Sequence, residues 1–141
     1  MSNALTGSVF VQTNDAEANA VVAFGRNADG TLSRLGTYAT GGRGNGTPHL
    51  PSQGSLVLAA DGTRLLVANA ASDDVSVFAV SSDGLELLAR ASSHGTEPRS
   101  IAVHGDLVYV LHAGGDGPAR WPASGSEAAA PSSRSRVRRG R

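Results

Sequence analysis

Leu65 to Gly115 reads LLVANAASDDVSVFAVSSDGLELLARASSHGTEPRSIAVHGDLVYVLHAGG. Apolar residues alternate in runs of four to eight, punctuated by Gly, Asn and Asp, which is the pattern of strands and hairpins rather than of helices. It predicts strands over Arg64 to Asn69, Val75 to Val80 and Leu85 to Ala91, preceded by one over Gly54 to Ala59. Turns are expected at Ala60-Asp61-Gly62, Ser72-Asp73-Asp74 and Ser82-Asp83-Gly84. Two further strands, Arg99 to Val103 and Leu107 to Leu111, follow.

The pattern repeats. Val9-Phe10-Val11, Leu65-Leu66-Val67 and Val108-Tyr109-Val110 align, and so do Val21-Val22-Ala23-Phe24 and Val75-Ser76-Val77-Phe78. Val67 and Val110 lie 43 positions apart, the period of a four-stranded propeller blade. A β-sandwich or jelly roll is the alternative for many short strands, but it does not call for self-similarity at that interval. The expectation is therefore all-β: a partial β-propeller of about two and a half antiparallel blades. The first unit lacks an innermost strand, and the third stops after two.

The chain has 141 residues, of which 40% are hydrophobic, enough for one domain, and no apolar run long enough to span a membrane as a helix. Met1 to Thr6 has neither a basic nor an apolar signal region, so cytoplasmic residence is the expectation. There is no cysteine, which excludes disulfides and thiolate chemistry. The formal net charge of zero conceals an asymmetry. Residues 1–117 hold six arginines against eleven acids, and residues 118–141 six against one. All basic residues are arginine, which with the abundance of Ala and Gly points to GC-rich codons.

Three stretches carry a resemblance to a known family: VFVQTNDAEANAVVAFGRNADGTLSRLG, GNGTPHLPSQGSLVLAADGTRLLVANAASDDVSVFAV and GTEPRSIAVHGDLVYVLHAGG. They resemble the lactonase-type seven-bladed β-propellers, which include bacterial 6-phosphogluconolactonases and fungal carboxymuconate lactonizing enzymes. The middle stretch also looks like the YVTN-type propeller repeat. The resemblance covers residues 7–117 and implies blades over 7–43, 53–95 and 96–117. It also implies hydrolysis of a sugar-acid lactone such as 6-phosphogluconolactone, without a cofactor. In the family, N-terminal strands share a blade with C-terminal ones, so an arc of this length is expected to be inactive alone. Its expected partners are a small-molecule lactone, once the ring is completed, and other copies meeting its open blade faces. Neither nucleic acid nor membrane is expected.

After Leu111 the pattern calls for a third strand, yet Arg120-Trp121-Pro122-Ala123 breaks the alternation. Residues 118–141 read as a disordered Arg/Ser/Ala/Pro-rich tail, either natural or translated out of frame. Arg134, Arg136, Arg138, Arg139 and Arg141 would neutralise phosphates, but no folded reader or stacking aromatics accompany them.

Lactone hydrolysis needs a base to activate water and a cation or donor where charge develops on the carbonyl oxygen. His49, on the loop leading to an inner strand, suits the first role and Arg99, at the corresponding place one blade later, the second. Pro98-Arg99 resembles the family's recurring Gly-x-Pro-Arg segment, where an arginine faces the central pocket. Such an arginine would also hold a substrate phosphate or carboxylate, and Gln53 would orient a substrate hydroxyl. The bland alternatives are loop capping for His49 and an ion pair with Glu97 or Asp106 for Arg99. No metal site is expected: His94, His104 and His112 lack zinc spacing and read as hairpin positions. Gly41 to Gly46 reads as a flexible glycine-rich loop, lacking the Gly-Lys-Ser/Thr of a phosphate cradle. A second class of function is a non-enzymatic, YVTN-like interaction module.

Overall fold

A computed structural model describes residues 7–48 and 52–114. Nine strands occur among them: β1 (Gly7–Gln12), β2 (Ala20–Arg26), β3 (Leu32–Ala39), β4 (Leu56–Leu58), β5 (Arg64–Asn69), β6 (Asp74–Ser81), β7 (Gly84–Ser92), β8 (Pro98–His104) and β9 (Leu107–His112). They form three antiparallel sheets in the orders β1-β2-β3, β4-β5-β6-β7 and β8-β9. Among the described residues no helix is long and apolar enough to cross a membrane.

The turns follow from their residues. Asp61 accepts hydrogen bonds from the Thr63 backbone N–H and hydroxyl, both at 2.9 Å, and Gly62 takes a positive φ of 71° that a side chain would oppose. Asp29, Gly30 and Thr31 repeat this arrangement between β2 and β3. These bonds hold the Asp61 and Asp29 carboxyls below the usual carboxylate range. The two-residue loop Gly105-Asp106 closes β8 on β9.

The repeat extends to irregularities. The β2–β3 ladder shifts between Ala23 and Phe24, and the β6–β7 ladder between Val77 and Phe78. Each bulge inserts one leucine, Leu35 or Leu88, on the outer strand, and both are exposed. The expected strand Gly54 to Ala59 is shorter in the structure, Leu56–Leu58. Its lead-in is diverted to the next sheet, where the Gly54 carbonyl accepts the Ile101 N–H at 2.8 Å.

The sheets stack face to face as an open arc, a partial β-propeller. One core cluster joins Leu65, Val67, Phe78 and Leu85 of the middle sheet to Val21 of the first, with Phe10 and Tyr38 packed against it. The other joins Leu66, Ala68 and Val75 to Ile101, Val108 and Val110 of the third. The middle sheet is thus covered on both sides. This is why Leu65 to Asn69 is continuously buried and reads as an unbroken apolar run rather than as alternation.

Each joint between sheets has a polar clasp at one end. At the first, Asn69 is fully buried. Its carboxamide oxygen accepts hydrogen bonds from Asn19 Nδ2 and Thr40 Oγ1, both at 2.8 Å, while its Nδ2 donates to Asp74 at 2.6 Å and Ser76 at 2.8 Å. All four hydrogen-bonding positions of the amide are filled. His112, 43 residues on, occupies the same place in the second joint. The backbone around the two is the same: Thr40 N–H donates to Asn19 O at 3.0 Å, and Ser93 N–H to Asp73 O at 2.9 Å. Glycine stands against each hub. A Cβ at Gly42 would overlap the Asn69 side chain, and one at Gly95 would lie 2.6 Å from the His112 ring.

Candidate active-site face

The registers place four connections at one end of the arc. Ala20 pairs with Ala39, Asn69 with Asp74, Asp74 with Ser92 and Pro98 with His112. Segments 13–19, 40–48, 52–55, 70–73 and 93–97 therefore share that end, whereas the tight turns at Gly30, Gly62, Asp83 and Gly105 lie at the other. Loops rather than ladders carry the variable chemistry of such a scaffold, and Gln53 and Arg99 fall on the loop-bearing end.

Arg99 sits at the start of β8, with Nη2 2.5 Å from Glu97 Oε1. Its side chain is 22% exposed, and its Nε is buried without a hydrogen-bond partner among the described residues. Of the two structural partners considered, Glu97 is the one found. Glu97 has a positive φ of 55°, which costs energy for a residue with a side chain. Its backbone N–H donates to Asp73 Oδ1 at 2.7 Å, which holds that conformation. Asn45 Nδ2 also donates to Glu97 Oε1, at 3.4 Å. Asn14 Nδ2 in turn donates to Asn45 Oδ1 at 2.6 Å. An amide and carboxylate relay thus runs from the first sheet through the long β3–β4 loop to Arg99.

The glycine-rich stretch of that loop, Gly41 to Gly46, is tied down rather than loose. Gly44 N–H donates to Asp15 O at 2.7 Å, Gly46 N–H to Asn14 O at 3.0 Å and Arg43 N–H to Ser72 Oγ at 2.9 Å. A Cβ at Gly44 would overlap the Asn14 backbone, so glycine there permits close approach of two chain segments. The expectation of a flexible loop is corrected: its glycines serve packing.

Gln53 lies exposed just before β4, and its backbone N–H donates to Ser100 Oγ at 3.3 Å. Ser52 Oγ stands 3.3 Å from the same hydroxyl. The lead-ins of two successive inner strands, carrying Gln53 and Arg99, are therefore fastened side by side. His49 lies outside the described residues. A groove of about 510 Å³ runs past Gln12, Asn14, Pro48, Ser52 and Ser55, and neither Arg99 nor Gln53 lines it. Among the described residues no group of three or more His, Asp or Glu side chains is placed to hold a metal ion.

Sequence reasoning missed Gln12 and Asn45 as members of this face, and placed Glu97 there only as a partner for Arg99. Gln12 donates from Nε2 to Ala68 O at 2.7 Å and keeps Oε1 buried without a partner among the described residues. Its signal was a polar residue at an apolar position of β1, on the side of Phe10. His94, His104 and His112 are not equivalent hairpin residues. His94 lies in the β7–β8 connection with a positive φ of 58°, His104 ends β8, and His112 ends β9 at the second joint. Burial pushes the His112 imidazole below its ordinary pKa, and the nearby His94 acts the same way. A backbone hydrogen bond with Ser93 and the Asp73 carboxylate oppose the shift.

The sequence profile of the lactonase, 7-bladed beta-propeller family matches residues 15–116, which span all three sheets. The chain belongs to that family. The periplasmic gluconolactonase PpgL of Pseudomonas aeruginosa is similar in structure to this lactonase-family chain, with 26% sequence identity and a TM-score of 0.52. The alignment covers 78% of this chain and 33% of the gluconolactonase, so the family member described here spans about a third of that protein's length. No curated protein matches the chain.

Proposed function

We propose that this chain forms part of the wall of a lactone-hydrolysing pocket acting on a sugar-acid lactone, of which 6-phosphogluconolactone is the expected example. The observation that carries the reading is Arg99. It is a largely buried guanidinium fixed at the loop-bearing end of a lactonase-family arc, with Nη2 paired to Glu97 and Nε without a hydrogen-bond partner among the described residues. The similarity to a protein described as a gluconolactonase supports the substrate class.

In this reading His49 takes a proton from water, whose oxygen attacks the lactone carbonyl carbon. Arg99 stabilises the negative charge gathering on the carbonyl oxygen. The ring C–O bond then breaks, and the departing alkoxide takes up the proton to give the open hydroxy acid. Gln53, beside Arg99 across the Ser52–Ser100 contact, orients a substrate hydroxyl. A group fixed in this way contributes mainly by positioning. Three sheets enclose only part of such a pocket, so the 141-residue chain is expected to turn lactone over no faster than spontaneous hydrolysis.

The test separates binding from turnover. Titration of the chain with 6-phosphogluconate, followed by NMR, should shift Arg99 and Gln53 resonances, and Arg99→Ala should weaken binding about tenfold, the loss of one charge-assisted contact. Undiminished binding by the variant would remove Arg99 from the site, and lactone turnover well above the spontaneous rate would refute inactivity of the arc. Cytoplasmic residence is the companion expectation. The similar gluconolactonase is described as periplasmic, and fractionation of the producing cells distinguishes the two.

A further inference from the structure

We propose that the chain associates with copies of itself head to tail, the outer face of the first sheet in one copy docking on the outer face of the third sheet in the next. This does not depend on the lactonase reading. The described residues leave these two faces without a neighbouring sheet, and the internal joints show what kind of surface covers each.

In the first joint the middle sheet presents Leu65, Val67 and Phe78 to the preceding sheet. The corresponding residues of the first sheet are Val9, Val11 and Phe24. Val9 pairs with Phe24 and Val11 with Val22, so these four share one face, opposite Phe10 and Val21, which pack inward. In the second joint the middle sheet presents Leu66 and Ala68 to the following sheet. Their counterparts 43 positions on are Tyr109 and Leu111, on the face opposite Val108 and Val110. Val11 is 48% exposed, Leu107 46% and Tyr109 41%. Apolar side chains of this size clustered on a sheet face favour burial against another sheet.

The two open faces are thus the two complementary halves of an interface the chain already makes twice internally. Bringing Tyr109, Leu111 and Leu107 of one copy onto Val9, Val11 and Phe24 of another continues the stack by a third joint of the same kind. Such a contact is heterologous, using different patches on the two partners, so it adds copies in a row or a ring rather than stopping at a symmetric pair.

Sedimentation velocity on the full chain from about 1 μM to about 500 μM should show the mean mass rising beyond that of a dimer. Val11→Arg and Tyr109→Arg each bury a charge in the proposed contact and should raise the concentration for half association at least about tenfold. Far-ultraviolet circular dichroism monitors the fold, and Leu107→Arg serves as a second third-sheet variant. Mixing Val11→Arg with Tyr109→Arg is decisive. Each retains one intact face, so the mixture should form a capped one-to-one dimer and nothing larger. A monomeric parent across the range, association unaffected by either arginine, or self-pairing of one variant without the other would each overturn the proposal.

Discussion

The two joints of the arc are built on one backbone plan with different hubs, and the difference separates packing from polar satisfaction. At both joints an outer-strand end turns back through a residue with positive φ, Gly41 in one and His94 in the other. At both, a glycine then makes room for the hub. At the first joint the hub is Asn69, fully buried with every donor and acceptor used. At the second it is His112, with Nε2 buried and unpartnered among the described residues. Apolar stacking is similar on both sides of the middle sheet. The first joint should therefore be the cooperative one, and the second the one that responds to its surroundings.

The largest expected effect comes from breaking the saturated hub. Asn69→Ala takes the acceptor from the fully buried Asn19 Nδ2 and removes one hydrogen bond each from Thr40, Asp74 and Ser76, and should cost about 3 kcal/mol or more in urea denaturation. Hydrogen exchange should locate the loosening at β2, β3 and β6. Next are the glycines. Gly42→Ala and Gly95→Ala each force a hub aside, at about 2 kcal/mol apiece. The Gly42 change should cost more, because Asn69 has four bonds to lose. Equal costs would mean that steric fit alone sets the joints.

The smallest effect sharpens the contrast through pH. The folded-state pKa of His112 lies below its ordinary 6.5, chiefly because burial penalises the charged ring. The unfolded chain thus binds the proton more readily than the folded one. The contribution to stability is complete above about pH 6.5 and declines as pH falls from there through the folded pKa. The loss should appear as faster hydrogen exchange at β8 and β9, with the first joint unchanged. His112→Asn should abolish it. The carboxylates of Asp15, Asp29 and Asp61 are shifted down from 3.8 by local hydrogen bonds. They contribute stability above that value and lose it as pH falls through their folded pKa values, so their loss sets in at a lower pH than that of His112.

Strands, turns and the 43-residue repeat were legible in the sequence because they depend on neighbours within a few residues. Arg64–Asn69 matches its expected bounds, and the Asp-Gly turns carry their own chemistry. The clasps were not legible. Asn69 meets Asn19 across 50 residues and Thr40 across 29, and no local pattern announces such a partner. The same holds for Glu97, whose hold on Arg99 is local but whose ties to Asn45 and Asp73 depend on the fold. Glycines 42 and 44 suggested looseness because sequence shows only the missing side chain, not the atoms that fill its place. Of the candidate site, Arg99 and Gln53 were found on the expected loop-bearing end and fastened through Ser100. Gln12 went unnoticed because its role is visible only once β5 lies beside it.

Methyl-selective NMR gives the most direct test of the stacked arc, because Leu65 and Leu66 are adjacent in sequence and point in opposite directions. The account predicts that Leu65 contacts the first sheet, near Val21 and Phe10, while Leu66 contacts Ile101 and Val110 of the third, with no partner shared between them. Contacts from both leucines to one common set of residues would describe a self-closed sandwich instead and contradict the arc.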